Sequence, residues 1–164
     1  ACGVFGTKMR SVIKEANKEG IKAVIEQQFA VGKEIIAKGL VPILEPEVDI
    51  HCAKKEEAEA IMLEEIKANV AKLPAADKIM LKVTIPTKEN LYEELMKDSH
   101  VVRIVALSGG YPQDEANEKL AKNRGLIASF SRALAQDLRA SQSDAEFDKV
   151  LKSAVDGIYK ASIT

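Results

Sequence analysis

Tryptophan is absent, and only 4% of the residues are aromatic. So few flat side chains leave no platform on which nucleic-acid bases could stack. An excess of one charge is also missing: 24 basic and 25 acidic residues give a formal net charge of −1. That balance, with both signs interspersed, argues against a nucleic-acid or membrane-surface role. No run of about 18 apolar residues occurs, so no helical membrane span is expected. Nor does a basic start lead into an apolar stretch, so the reading expects no signal peptide. Cys2 and Cys52 show no spacing of a disulfide framework, and the setting expected is a reduced cytoplasm. His51 and His100 are read as surface or loop residues, and neither has partners at metal-ligand spacing, so no metal site is expected.

What is present is a chain of 164 residues that is 46% hydrophobic, enough for one domain with a real core. It opens at Ala1 without a methionine and runs at once into a strand-like pattern, so the expectation is a fragment, a single partial domain over residues 1–164. Short apolar runs at residues 4–9, 40–48, 78–85, 101–108 and 126–130 read as strands. Helical patterns lie between and after them. Residues 20–38 place Ile21, Val24, Ile25, Phe29, Ile35 and Ile36 on one side and stop at Gly39. Residues 54–72 align Ala58, Ile61, Met62, Ile66 and Val70. Thr87 is read as the cap of a short helix through Met96, and Pro112 as the start of another through Lys122. The last helix spans residues 141–159, with Ser143-Asp144-Ala145-Glu146 as a capping box. Strands alternating with helices at this spacing predict an α/β fold with a parallel sheet.

Buried parallel strands normally read as unbroken apolar runs. Here ionisable groups interrupt them. Lys8 and Arg10 share one face of the first run, and Glu45 and Glu47 share one face of the second. Lys82 sits inside Ile79-Met80-Leu81-Lys82-Val83-Thr84-Ile85. The fourth run ends in Ser108-Gly109-Gly110, and the fifth leads into Ser129-Phe130-Ser131-Arg132. An open sheet would spread these residues along an edge. A β/α barrel gathers the C-terminal ends of its strands at one mouth, so the barrel accounts for more of the charge pattern.

A lysine in apolar surroundings has a chemical use, because desolvation favours the neutral amine that attacks carbonyls. Glu45 is a carboxylate available to move protons for it. A bland reading stands beside this one: Lys82 as a strand-end lysine whose stem packs and whose head reaches water. Likewise Glu45 and Glu47 could be structural ion partners of Lys8 or Arg10. Ser108-Gly109-Gly110 before a helix start can present N–H groups to a phosphate, although Gly-Gly is also an ordinary turn. Arg132 fits the phosphate site that many barrels place at their last two strands.

Several segments together resemble class I fructose-bisphosphate aldolases, most closely the shorter bacterial type. They are Phe5-Gly6-Thr7-Lys8-Met9-Arg10, Leu40-Val41-Pro42-Ile43-Leu44-Glu45-Pro46-Glu47, Met80-Leu81-Lys82, Val105-Ala106-Leu107-Ser108-Gly109-Gly110 and Ala128-Ser129-Phe130-Ser131-Arg132-Ala133-Leu134. The resemblance implies that Lys82 forms the imine with the substrate ketone and that Glu45 serves as acid and base. It makes Glu47 the second carboxylate, which holds the lysine network. Lys8 becomes the lysine that stabilises charge on the reacting oxygens, and Arg10 a substrate-binding arginine. Ser108, Gly109, Gly110, Ser129 and Arg132 match positions around the phosphate nearest the ketone. Lysine chemistry of this kind implies no cofactor.

The implied fold is the C-terminal part of a TIM (β/α)8 barrel, about strands four to eight. The family's earlier strands, one with an aspartate needed for cleavage and another with a lysine, would lie outside this chain. Its partners would then be a sugar phosphate and the missing N-terminal half of the barrel, and homo-oligomerisation stays open. A half barrel exposes parallel edges, so the expectation is that this piece alone neither folds stably nor acts. The tail tyrosine of the animal enzymes is not assigned to Tyr159. Two alternatives remain: another Schiff-base barrel lyase or transferase of the transaldolase kind, and a non-catalytic phosphate-binding barrel whose charges are structural.

Overall fold

A computed structural model of the protein describes residues 3–164, so Cys2 lies outside the described residues. Asn17 opens the first helix, α1 (Lys18–Ile36), by accepting the Gly20 N–H on its side chain. Ile21, Ile25, Phe29 and Gly32 then form its buried stripe at helical spacing. Gly39, at φ +76°, reverses the chain just beyond the helix. α2 (Lys55–Val70) buries Ala58, Met62, Ile66 and Val70 in the same way. The strands are β1 (Gly6–Ile13), β2 (Val41–Val48), β3 (Ile79–Thr84), β4 (Val101–Leu107) and β5 (Ile127–Ala128). The remaining helices are α3 (Gln113–Ala121), α4 (Arg132–Ala135) and α5 (Asp144–Ala161).

The five strands form one sheet in the order β1-β2-β3-β4-β5, and every pairing is parallel. Each strand therefore lies beside its neighbour in sequence, with no reversal of order. Doubly wound sheets reverse at a switch point, whereas barrel walls run on in sequence. The fold is α/β with a parallel five-stranded sheet, compatible with part of a β/α barrel.

Alternation divides the sheet into two faces. Leu44 and Val48, Leu81 and Val83, Ile104 and Ala106 are buried in one core with the apolar stripes of α1 and α2. Residues of the opposite parity, among them Glu45, Glu47 and Lys82, face away from that core.

Some boundaries differ from the sequence expectation. β1 runs on to Ile13 because its ladder with β2 continues as far as Ile13 opposite Val48, where both are buried. β5 keeps only two residues, after which the chain turns into α4, which the sequence pattern did not reveal. No helix forms over 87–96. The Thr87 hydroxyl accepts from Lys55 and its N–H donates to Glu59, so it is engaged with α2 instead of capping. Asn90 adopts φ +59°, and only a 3₁₀ turn forms, at Leu95–Lys97. α5 starts one residue after Ser143, whose capping box with Glu146 is complete.

Candidate active site

Register brings the charges together. Arg10 lies opposite Glu45 and Val12 opposite Glu47 across the β1–β2 ladder. Each basic side chain leans forward along the partner strand. Lys8 Nζ donates to Glu45 Oε2 at 2.5 Å, and Arg10 Nε donates to Glu47 Oε2 at 2.7 Å. From the other neighbour, Lys82 Nζ approaches Glu45 Oε1 to 3.4 Å. One carboxylate, only 4% exposed, thus joins two lysines through its two oxygens. The Lys82 side chain is itself 18% exposed and lines an opening beside Glu45. The hydrogen bond that Arg10 donates to Glu47, together with the negative charge of that carboxylate, raises the Arg10 guanidinium above its already high pKa.

The structural ion pairs considered from the sequence are therefore present. They do not close the site. A cleft of about 420 Å³ opens beside them, with Arg10, Glu45, Glu47 and Lys82 along one side. Ser108, Gly109, Ser129 and Arg132 line the other. Ser108 is buried at the end of β4, and its carbonyl accepts the Tyr111 N–H, which closes the turn holding both glycines. Gly109 takes φ +66°, and a Cβ there would lie 2.6 Å from Ile50 Cγ2. Only glycine fits that turn without moving Ile50. Gly110, at φ +115°, faces Arg132: a Cβ on it would lie 3.7 Å from a guanidinium nitrogen. A glycine turn, serine hydroxyls and an arginine are the donors an anionic phosphate would need.

Of the residues singled out from the sequence, Lys8 and Gly110 do not line the cleft; Lys8 meets it through Glu45, and Gly110 lies beside Arg132. Leu107 and Ser131 line it and were passed over. The sequence signals for them were modest: Leu107 has the strand parity of Val105, which pairs with Lys82, and Ser131 precedes Arg132. Among the described residues no group of three His, Cys, Asp or Glu side chains could hold a metal ion. Among the same residues no helix is long and apolar enough to cross a membrane.

Comparison with known proteins bears on this site. The chain is 57% identical over 161 residues to a protein of Clostridium acetobutylicum named fructose-bisphosphate aldolase class 1. The chain is homologous to class 1 fructose-bisphosphate aldolases. Proteins of the same name from Synechocystis and Porphyromonas gingivalis are each 54% identical over 162 and 160 residues. These alignments take in 98–99% of the chain but 54–55% of each relative. The chain thus spans about half the length of the curated relatives it matches. No protein-family model matches it.

Proposed function

We propose that the protein acts as a class I fructose-bisphosphate aldolase, a lyase that reversibly cleaves fructose 1,6-bisphosphate through a lysine Schiff base. The products would be dihydroxyacetone phosphate and glyceraldehyde 3-phosphate, a step of glycolysis and gluconeogenesis. The observation that carries this reading is the contact of Lys82 Nζ with buried Glu45 at the wall of an open cleft.

In this proposal the Lys82 amine adds to the substrate ketone, and the carbinolamine loses water with a proton supplied by Glu45. The resulting iminium draws in the electron pair of the adjacent carbon–carbon bond. Glu45 takes the proton of the departing hydroxyl, so the aldehyde leaves and an enamine remains. Protonation of the enamine and hydrolysis then release the ketone phosphate and restore the amine. Lys8 balances charge on the reacting oxygens, and Glu47 holds Arg10 oriented towards substrate. Ser108, Gly109, Gly110, Ser129 and Arg132 bind the phosphate nearest the ketone.

The five strands would supply about the fourth to eighth strands of a TIM barrel, with 1–164 as one partial domain. The strands that close the barrel would come from outside this sequence, so the active unit needs that other half. A cytoplasmic location belongs to the same proposal.

The test is a cleavage assay on the full-length protein with fructose 1,6-bisphosphate. Activity that survives a chelator but is destroyed by borohydride only when substrate is present supports the lysine route. Activity lost to the chelator and indifferent to borohydride would replace it with a metal-dependent one.

A further inference from the structure

Behind the sheet, on the side of α2, lies a buried ion pair that the lysine chemistry does not use. Lys55 and Glu59, one turn apart, bond to each other with side chains 9% and 1% exposed. The Lys55 ammonium also donates to the Ile85 carbonyl oxygen at 2.9 Å and to Thr87 Oγ1 at 3.1 Å. The second carboxylate oxygen of Glu59 accepts the Thr87 N–H at 2.9 Å. All three ammonium protons and both carboxylate oxygens are engaged. Nothing in this cluster opens onto the reacting groups, yet its partners outside α2 all lie in the segment that leaves β3.

Burying two charges gains little net stability, and apolar residues of similar size commonly hold a helix to a sheet at least as well. What the pair adds is geometry. Ile85 and Thr87 follow Lys82 by three and five residues. At the two edges of the strand's end, Thr84 Oγ1 donates to the Val48 carbonyl oxygen of β2 at 2.6 Å, and Ile85 N–H reaches the Leu107 carbonyl oxygen of β4 at 3.3 Å. The end of β3 is therefore held by β2, by β4 and, through Lys55 and Glu59, by α2. Glu59 also stands within electrostatic reach of both flanking loops. Burial raises the Tyr92 phenol well above its ordinary pKa, and the Glu59 charge adds to that. Burial, Glu115 and then Glu59 raise Tyr111, the residue after Gly110.

We propose that Lys55 and Glu59 form a positioning pair for the reaction at Lys82: by pinning Ile85 and Thr87 they fix the end of β3 and keep Lys82 Nζ within reach of Glu45. The inference rests on the Schiff-base reading above. It makes the rate of imine formation depend on two residues that never touch substrate.

The experiment uses the full-length protein, Glu59→Gln, and the double variant Lys55→Met/Glu59→Leu, which replaces the pair by apolar side chains. Imine formation with dihydroxyacetone phosphate is followed by borohydride quenching, beside steady-state kcat and KM and a thermal melt. Both variants are expected to slow imine formation by roughly 10- to 100-fold, as a displaced reacting group does, while KM changes by less than about 3-fold. A folded double variant as fast as wild type overturns the proposal, and so does a rise in KM with kcat unchanged. Loss of folding in both variants would make the pair structural and overturn it too. Absence of an adduct in the wild type would instead reject the Schiff-base reading, which separates the two failures.

Discussion

Glu45 is the residue on which the proposed chemistry turns, because its two oxygens meet two different lysines, Lys8 at 2.5 Å and Lys82 at 3.4 Å. Replacing it with Gln keeps the size and removes the base. Turnover should fall by about 10²- to 10⁴-fold in a cleavage assay, with the fold unchanged by circular dichroism. The four residues of this cluster were legible because side chains two apart on a strand share a face, so Lys8 with Arg10 and Glu45 with Glu47 announced themselves. Lys55 and Glu59 were not. Lysine and glutamate at that helical spacing ordinarily form a solvated surface pair, and only the packing of α2 on the end of β3 buries them. Tyr92 offers a test of that buried region. Its phenol is raised well above 10.0 by burial, then by the Glu59 charge, so the folded chain resists an ionisation the unfolded chain undergoes near pH 10. Its contribution is intact below that pH and is lost as pH rises above it. Tyr92→Phe should flatten the alkaline fall in stability between about pH 9 and about pH 11, a slope of at most about 1.4 kcal/mol per pH unit, read by chemical denaturation.

Elements were legible where local and tertiary demands agree. α5 combines the Ser143–Glu146 capping box with a start the sequence marks plainly, and Ser143→Ala should lower stability by about 1 kcal/mol in a urea titration. Residues 87–96 show the opposite. Thr87 carries a capping residue's chemistry, but the Lys55–Glu59 pair uses its hydroxyl and its N–H first, and tertiary bonds override the local preference. β1 was underestimated because Arg10 interrupts the apolar run, and the ladder to β2 that extends it to Ile13 is a long-range contact no window of sequence contains. β5 was overestimated for the converse reason: Leu126 is buried, yet Phe130 already belongs to the turn into α4.

For the whole molecule, strand order was the informative quantity. Five parallel strands in unbroken sequence order place the ends of β1 to β5 along one rim, which is how residues as distant as Arg10 and Arg132 come to line one cleft. The charge pattern alone indicates that convergence, since carboxylates and lysines on several strands need a common mouth to be satisfied. The charge pattern favoured a barrel over an open sheet, and the resemblance alone implied which of its strands lie outside this sequence. If the proposed other half is required, residues 1–164 expressed alone should expose apolar surface, bind a hydrophobic dye and show no cleavage activity. Co-expression with the remaining strands should restore both a cooperative melt and activity.

The most direct test of the central claim is intact-mass analysis of the full-length protein after borohydride reduction with dihydroxyacetone phosphate, beside Lys82→Met. The account predicts one reduced adduct on the wild type, mapped to the peptide containing Lys82, and none on the variant. A folded wild type that gains no mass, or an adduct of equal yield on Lys82→Met, would contradict it.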